Sequence, residues 1–451
     1  MSNNFPGVGW LRKPLRCIGS CRRQVIGMTV VSPKVYLIID MPTGAYLHYC
    51  VQLGNALART GQCTVRVVSL FENRESPGIP EDERCMFDSG LELDIVGRTA
   101  RSRSRRCWIF FMNFLRHLQQ VRRDQASVVH VHTGTAWPWL DTGLLLVYRL
   151  LRIPIVRTIH ELTTAERIGE ATRIQQAIGI LQVKLAQAII THNQDERDRF
   201  VSLLGKPEVV AVVPHGNYLC FRSTQQSQER AMDRTEGPLR ILFMGIKRHK
   251  GIEVFLEAMK HLMLLGAPVT ATVIGRVNAG DEDLLERIRT LPNVLLEAGY
   301  VTNQDLEMWY RRHDLVALPY IRGTTSGAVH LAYAFDRPVI ASDLPCFREL
   351  VIDGETGFVV RAGDAMALIQ GIQRALSARF MLRRMGAAGF FNVSRPRYAW
   401  DRIAAQTLRV YYRAIAKSSG DVIPSSYLSV EGDDDVVSCN RDLAASRTSS
   451  T

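Results

Sequence analysis

The chain has 451 residues, of which 22% are charged and 46% hydrophobic, and these proportions exclude a chain that is disordered throughout. Its 56 lysines and arginines exceed its 44 acidic residues, which gives a formal net charge of +12. At roughly 100–200 residues per domain, this length predicts two or three domains. The excess positive charge indicates an acidic partner, such as a nucleic acid, an anionic membrane or a phosphorylated small molecule.

The cysteines and the hydropathy of the sequence indicate the cellular compartment to expect for the protein. The nine cysteines show no framework of paired spacings, which is typical of a reducing environment. No apolar run reaches the roughly 18 residues that a membrane-spanning helix needs, and the best candidate, Gly143–Val156, is interrupted by Arg149 and Arg152. The basic N-terminal stretch lacks the apolar core of a signal peptide. We therefore expect a cytoplasmic protein, either free or peripheral on the inner face of the plasma membrane.

In the first half of the chain, short apolar runs alternate with helical segments. A basic, aperiodic arm at 1–32 comes first, and a turn at Pro42-Thr43-Gly44 follows the first strand. This alternation predicts parallel βα units in an N-terminal domain at 33–220. The predicted strands are Lys34–Ile39, Thr64–Leu70, Val128–Val131, Ile155–Ile159 and Ala188–Thr191.

A second alternating run follows a polar linker at 221–238. It predicts a C-terminal domain at 239–397, a final helix at 398–416 and a disordered tail at 417–451, which is poor in apolar residues. The fold class is α/β, with two Rossmann-like doubly wound domains facing a cleft, and ligands bind such sheets beyond their carboxyl ends. The predicted strands here are Arg240–Met244, Thr270–Ile274, Val294–Glu297, Leu315–Leu318 and Pro338–Ala341.

The first constellation with chemical content is a basic loop at 245–251. Gly245 ends a strand and allows a tight turn, and Arg248 and Lys250 then precede a helix N-terminus, whose dipole favours an anion. Two cations at that place suit a diphosphate. On charge alone, a solvated basic loop is the better interpretation.

A second loop follows the strand LVALPY and consists of small residues. Thr325, Ser326 and Gly327 lie at the start of a helix, where backbone N–H groups can bind phosphate. The alternative is an ordinary helix cap with Thr325 or Ser326 as the capping residue. Because both loops follow strands of one predicted sheet, we expect them at the same edge, and together they indicate an anion site better than either does alone.

The motifs, in this order, resemble the GT-B glycosyltransferases of the family-4-like group over roughly residues 33–415. The similar stretches are DMPTGA, RTIH, VVPHGNY, FMGIKRHKG, ALPYIRGTTSGAVHLAYAFDRPVIASD and FRELVIDGETGFVV. Members of that family transfer sugars from nucleotide donors. The resemblance implies a catalytic set of His160, Arg248 and Lys250. It also implies donor contacts at Gly44, Tyr300, Ser326 and Gly327. The positions of Gly245 and Thr325 in the two loops, and of Glu349 near a strand end, add these three to the predicted donor-binding residues.

The chain departs from the family pattern at the second loop. Many members carry two glutamates eight positions apart, where this chain has Gly323 and Leu331. The loop from Gly245 to Lys250 is also one residue shorter than the common form. Glu349 is a candidate for the ribose contact instead, and the equally weighted alternative is a helix-start carboxylate stabilised by the dipole.

Two further features raise the question of a metal. His130 and His132 alternate on one strand and face one side, but no third ligand is evident, so hydrogen-bonded histidines are the favoured interpretation. The triplet Asp433-Asp434-Asp435 lies in the predicted tail and is interpreted as a solvated charge run. We expect no metal site and no cofactor.

An arginine-rich segment precedes an aromatic one. The cluster at Arg98–Arg106 leads into Trp108–Leu115, and this combination favours an anionic membrane surface. The alternative is a core helix with a basic cap. Nucleic acid is not an expected partner, because no nucleic-acid-binding module is recognisable.

The function expected from this resemblance is transfer of a hexose from a GDP- or UDP-sugar to a lipid-linked, oligosaccharide or polysaccharide acceptor, in exopolysaccharide or glycolipid biosynthesis. Because Arg248, Lys250 and the helix amides can neutralise charge on the diphosphate, we expect a metal-independent reaction, and the resemblance implies that it retains configuration. An inverting reaction would need a base, for which Glu161 is a weak candidate. The alternatives are a sugar-nucleotide epimerase or hydrolase on the same scaffold and a non-catalytic peripheral membrane binder.

Overall fold

The computed structural model describes residues 32–40, 44–71, 81–88, 90–97, 102–132, 138–160, 173–222, 237–277, 280–323 and 327–419. Several predictions fall outside these ranges. They are the arm up to residue 31, the centre of the linker at 223–236, the tail from residue 420, and the individual residues Arg98, Arg101, Glu161, Thr325 and Ser326.

The first half of the chain forms a parallel sheet of seven strands in the order β3-β2-β1-β4-β5-β6-β7. The elements of this half are β1 (Lys34–Ile39), α1 (Ala45–Arg59), β2 (Thr64–Phe71), α2 (Glu81–Arg84), β3 (Glu92–Gly97), α3 (Arg103–Arg123), β4 (Val128–Val131), α4 (Pro138–Leu150), β5 (Ile155–Thr158), α5 (Arg173–Leu185), β6 (Ala188–Thr191), α6 (Gln194–Leu204) and β7 (Val210–Val212). Strand β1 pairs on both sides, with Leu37 opposite Val67 of β2 and opposite His130 of β4.

The second half forms a parallel sheet of six strands in the order β10-β9-β8-β11-β12-β13. The two doubly wound sheets confirm the predicted fold class. The elements are β8 (Leu239–Ile246), α7 (Ile252–Leu264), β9 (Val269–Val277), α8 (Asp283–Arg289), β10 (Val294–Ala298), α9 (Asn303–Arg311), β11 (Leu315–Leu318), α10 (Gly327–Ala334), β12 (Val339–Ser342), α11 (Pro345–Arg348), β13 (Gly357–Val360), α12 (Ala365–Ser377), α13 (Leu382–Val393) and α14 (Trp400–Ser419).

The apolar sequence of β1 reflects burial on both faces of its sheet. Val35 and Leu37 point into a cluster shared with α1 and α14, whereas Tyr36 and Ile38 point into a cluster shared with α3 and α4. Successive side chains of a strand point to opposite faces, so a strand covered by helices on both sides needs apolar residues at every position.

The final helix returns to the first sheet. Ile403, Ala404 and Tyr411 of α14 lie in the core cluster of the first sheet, and α14 packs along α1. It ends at Ser419, three residues beyond the predicted boundary at 416. The C-terminal helix therefore completes the N-terminal domain, which the sequence pattern did not indicate.

Strand order reverses beside β1 in the first sheet and beside β8 in the second. At such a switch point the neighbouring connections leave in opposite directions and open a crevice at the carboxyl ends of the strands. The residues that follow β1, β4, β8 and β11 therefore form the candidate site. In the part of the chain that the structure describes, no helix is both long enough and apolar enough to cross a membrane.

Candidate active site

The segments that follow β8 and β11, where the two anion-binding loops were predicted, lie side by side as far as residue 323. The backbone N–H of Ile321, after β11, donates to the carbonyl oxygen of His249, in the loop after β8, over 3.0 Å. In the loop after β8, residues 248–250 form a single 3-10 turn that is capped by Gly251. A Cβ atom at Gly251 would collide with the carbonyl oxygen of Pro319, so glycine permits this close approach.

Lys250 returns over the end of its own strand. Its Nζ lies 3.3 Å from the carbonyl oxygen of Met244 and 5.8 Å from the centre of the Tyr320 ring. Gly245 has a φ of 88°, and a Cβ atom there would lie 2.6 Å from that ammonium. Glycine at 245 thus serves both the left-handed turn and the space for the lysine, and Lys250 is placed at the switch point of the second sheet.

Arg248 has a different environment. Its guanidinium contacts three carboxylates, those of Glu253 at 2.7 Å, Asp281 at 2.9 Å and Asp283 at 2.6 Å. Hydrogen bonds to Asp283 and Asp281 raise the pKa of Arg248 above its usual range. The structure therefore places Arg248 in an ion-pair network, in which three of its five N–H groups bind carboxylates and its positive charge is already compensated.

The second loop leads directly into α10. Gly327 is the first residue of α10. A Cβ atom there would lie 2.7 Å from Cε2 of Tyr218, so the close approach of the Tyr218 ring to this backbone needs glycine. The Tyr218 hydroxyl is buried and has no hydrogen-bond partner within the described ranges. The start of α10 thus has a buried hydroxyl group beside it.

A buried carboxylate joins the two halves of the candidate site. Glu83, whose side chain is fully buried, accepts hydrogen bonds from the Gly44 N–H at 3.3 Å and from the Tyr300 hydroxyl at 3.0 Å. His48 Nε2 lies 2.8 Å away, and Asn303 Nδ2 lies 3.2 Å away. Gly44 and Tyr300, both predicted to contact the donor, are therefore bridged by a residue that carries no motif in the sequence.

The electrostatics of Glu83 follow from this geometry. Burial alone would raise the pKa of the carboxyl, but hydrogen bonds from His48, Tyr300 and Asn303 outweigh burial and lower the pKa below its ordinary value. Glu83 is thus a stable buried anion at the N-terminus of α1, where the helix dipole favours negative charge. It occupies the kind of position in which a ligand anion would bind.

Tyr300 is partly exposed, and the guanidinium of Arg276 lies over its ring. The side chain is 37% exposed, and the guanidinium of Arg276 lies 4.8 Å from the centre of the ring. Such a ring can stack on a planar base. This geometry is compatible with the predicted contact to a nucleotide base.

His160 lies at the carboxyl end of the first sheet among other aromatic rings. The ring centres of Tyr46 and Tyr49 are 5.4 Å and 4.6 Å away. Burial and the neighbouring His192 lower the pKa of His160, so its imidazole is neutral at neutral pH. The site can therefore present an uncharged ring near the N-terminus of α1.

His130 and His132 have separate partners. His130 has both ring nitrogens in hydrogen bonds, to Tyr411 Oη and Thr158 Oγ1, each at 2.7 Å. Within the described ranges, no group of three or more His, Cys, Asp or Glu side chains is arranged to hold a metal ion. His130 is a hydrogen-bonded core histidine.

The two domains also meet through stacked imidazoles. The rings of His215, after β7, and His330, on α10, are stacked with centres 5.2 Å apart. The next residue, Leu331, stands where many family members carry a glutamate, and it packs against the core of the second domain. The missing carboxylate is thus replaced by apolar packing.

The position of Glu349 differs from the helix-start position considered for it from the sequence. It follows α11 as its C-terminal cap, so a helix-start position stabilised by the dipole is wrong. Its Oε2 accepts a hydrogen bond from Arg397 at 3.0 Å. A ribose contact for Glu349 stays a prediction.

The chain is similar to known glycosyltransferases. Residues 48–217 match the family described as Glycosyltransferase Family 4, and residues 238–378 match Glycosyl transferases group 1. Phosphatidyl-myo-inositol mannosyltransferase of Mycobacterium leprae is 34% identical over 189 residues, which are 40% of this chain and 48% of that protein. This match therefore spans about half of the relative's length.

Two further proteins extend the comparison. A D-inositol 3-phosphate glycosyltransferase of Xylanimonas cellulosilytica is 30% identical over 312 residues, which are 64% of this chain and 72% of that protein. HepE of Anabaena, solved in complex with UDP and glucose, has 16% identity and a TM-score of 0.63 over 83% of this chain and 98% of that one. The likeness to HepE concerns the fold.

Two Rossmann-like sheets whose carboxyl ends meet around basic and glycine-rich loops define the GT-B class. The chain belongs to the group 1 glycosyltransferases, also described as Glycosyltransferase Family 4. The resemblance drawn from the sequence motifs is confirmed.

Proposed function

We propose that the chain transfers a hexosyl group from a GDP- or UDP-hexose to a hydroxyl group of a lipid-linked or polysaccharide acceptor, as a step in glycolipid or exopolysaccharide synthesis. The names of the relatives, an inositol-phosphate glycosyltransferase and a phosphatidylinositol mannosyltransferase, support a glycan or glycolipid pathway. The UDP and glucose bound to HepE support a nucleotide-sugar donor.

The observation that carries the proposal is the contact between the segments that follow β8 and β11 at the carboxyl edge of the second sheet. The Ile321 N–H donates to the His249 carbonyl oxygen, so the segment after β11, which leads toward α10, lies against the turn that contains Lys250. An ammonium and the amides of a helix N-terminus that follow neighbouring strands at one sheet edge suit a diphosphate leaving group.

In the proposed reaction, the bond between the anomeric carbon and the diphosphate oxygen breaks, and a bond to the acceptor oxygen forms. The acceptor proton is transferred to the departing diphosphate. Lys250 and the amides at Gly327 stabilise the charge that develops on the diphosphate, and such stabilisation is usually the largest catalytic contribution. The proposal follows the family resemblance in a retained anomeric configuration and assigns no step to a metal ion.

Donor binding provides the first test. The full chain is screened with UDP-, GDP- and ADP-hexoses by thermal unfolding. A donor at 100 times its Kd is expected to stabilise the folded protein by about 2.7 kcal/mol, and hence to raise Tm by roughly 3 °C for a chain of this length. The free hexoses are the matched controls and should leave Tm unchanged. Absence of a shift with every sugar nucleotide would contradict the proposal.

Product analysis separates the enzymatic alternatives. The stabilising donor is incubated with and without a glycolipid acceptor, and the products are identified by NMR. We expect a glycosylated acceptor with the donor's anomeric configuration. An epimerised or hydrolysed donor that forms equally well without acceptor would support the epimerase or hydrolase alternative instead.

We further propose that the acceptor side of the enzyme rests on an anionic membrane surface. On α3, Trp108 and Phe111 are 63% and 53% exposed, while Phe110 and Phe114 pack inward. On α4, which covers the same face of the sheet, Leu150 is 82% exposed. An amphipathic helix with exposed aromatics and exposed arginines such as those at 105, 116, 122 and 123 suits the interface of an anionic bilayer.

Vesicle binding tests this surface. The double variant Trp108→Ser, Phe111→Ser is expected to bind phosphatidylglycerol vesicles about 10- to 100-fold more weakly than the unchanged chain in co-sedimentation, because two exposed aromatic side chains that would insert into the bilayer are lost. Phe380→Ser, which changes a 74% exposed phenylalanine of the C-terminal half, is the control. Equal binding by all three proteins, or equal binding to phosphatidylcholine, would contradict a membrane role for α3.

A further inference from the structure

Three buried imidazoles form a hydrogen-bonded chain along the carboxyl ends of adjacent strands. His132 follows β4, His160 lies just after β5, and His192 follows β6. His132 Nδ1 lies 3.3 Å from His160 Nε2, and His160 Nδ1 lies 3.1 Å from His192 Nε2. At the far end, His192 Nδ1 lies 2.9 Å from the carbonyl oxygen of Val213. The chain of contacts is continuous over three strands.

The Val213 carbonyl oxygen, at the end of the series, determines which nitrogen of each imidazole carries the hydrogen. A carbonyl oxygen only accepts, so His192 Nδ1 must carry a hydrogen. Burial lowers the pKa of all three imidazoles, so each is neutral at neutral pH and has one ring hydrogen. His192 Nε2 therefore accepts from His160 Nδ1, and His160 Nε2 accepts from His132 Nδ1.

His132, at the other end of the three histidines, agrees with this placement of the ring hydrogens. The remaining lone pair falls on His132 Nε2, and that atom is buried without a hydrogen-bond partner in the part of the chain that the structure describes. A buried polar atom without a partner is destabilising. Apolar side chains would avoid that cost, which argues for a role of the histidine chain other than stability.

We propose that His192 is a positioning residue for His160. Supported by the Val213 carbonyl, it holds the His160 ring in the tautomer with hydrogen on Nδ1 and in one orientation beside Tyr46, in the first turn of α1. The proposal rests on the proposed function and on the role beside the donor that the family resemblance implies for His160. A ring held in one tautomer and one orientation needs no reorganisation when the donor binds.

Two substitutions separate positioning from packing. His192→Phe keeps a ring of similar size but offers no acceptor to His160, whereas His192→Gln keeps an acceptor oxygen. We expect His192→Phe to lower kcat about 10- to 100-fold with little change in the donor KM, because the ring loses its fixed geometry. His192→Gln should recover activity to within about threefold of the unchanged enzyme, because it retains the acceptor.

A spectroscopic readout tests the tautomer directly. In protein labelled with ¹⁵N-histidine, the His160 signals of the unchanged chain should show hydrogen on Nδ1, and those of His192→Phe should show a mixture of tautomers. His261→Phe, on the distant helix α7, is the matched control and should leave the His160 signals unchanged.

The outcomes separate this proposal from the proposed function. The spectra need no substrate, so they test the histidine chain even if no sugar nucleotide is a donor. Hydrogen on Nε2 of His160 in the unchanged protein would overturn the proposal, and so would equal activity of His192→Phe and the unchanged enzyme. If His192→Phe does not fold, the spectrum of the unchanged protein and the kinetics of His192→Gln decide: a glutamine variant with a 10-fold lower kcat would also overturn it.

Discussion

Acidification from pH 7.5 to 5.5 is expected to lower the free energy of unfolding by about 8 kcal/mol, an amount comparable with the 5–15 kcal/mol that stabilises a typical protein. The cause is a cluster of six buried histidines at the junction of the domains, whose pKa values are all lowered, mainly by burial. They are His130, His132, His160, His192, His215 and His330.

The direction follows from proton binding in the two states. In the unfolded chain these histidines bind protons below about pH 6.5, whereas in the folded protein burial lowers the pKa of His215 to about 4 and that of His192 to about 3. The stabilisation is therefore complete above pH 6.5 and is lost as the pH falls toward these values. Between pH 7.5 and 5.5, each histidine contributes about 1.4 kcal/mol to the loss of unfolding free energy.

Urea unfolding at pH 7.5, 6.5 and 5.5 measures this effect. His330→Phe removes one titrating group while keeping a ring against His215, so it should reduce the pH-dependent loss by about 1.4 kcal/mol. His261→Phe, outside the cluster, should leave the loss unchanged. An unfolding midpoint that does not move between pH 7.5 and 5.5 would show that the cluster takes up protons in the folded state.

Replacement of Lys250 by alanine is expected to lower kcat/KM for the donor about 100- to 1,000-fold, the range found when one group that stabilises a developing charge is removed. The ammonium lies over the end of β8 beside Gly245, at the point where the diphosphate is proposed to bind. Steady-state kinetics with the donor found by the thermal screen provide the measurement.

Two comparisons make the Lys250 result interpretable. Lys260→Ala removes the same charge from an exposed position on α7 and should leave kcat/KM unchanged. Arg248→Ala should lower kcat/KM less than Lys250→Ala, because three carboxylates already bind the Arg248 guanidinium. Full activity of a folded Lys250→Ala protein would rule out the role proposed for this lysine.

Most strands were visible in the sequence, and the exceptions share a physical reason. The ten predicted strands are all present in the sheets, whereas β3, β7 and β13 were missed. These three lie at sheet edges and are short or partly polar. A central strand is covered on both faces and reads as an apolar run, whereas these edge strands give a weaker signal because they are partly exposed, as in β3 and β7, or only four residues long, as in the mostly buried β13.

The candidate site was predictable in part. Gly245 and Lys250 could be found because a glycine turn between a strand and a helix is a local pattern. Glu83 could not be found, because it lies in a four-residue helix without a motif, and its contact with Tyr300 spans 217 residues. The strand-end histidines were each visible, but nothing in the sequence indicated that three of them are hydrogen-bonded in series.

The sequence by itself determined the fold class, the family and the loops that face the cleft, because βα alternation and glycine turns depend on neighbouring residues. The tertiary structure alone decided which partner each charged or titratable group has. It paired Arg248 with three carboxylates, placed Glu349 at the end of a helix, returned α14 to the first sheet and ordered the histidine chain. These features depend on contacts between residues far apart in the chain, where burial and the nearest partner set the charge state.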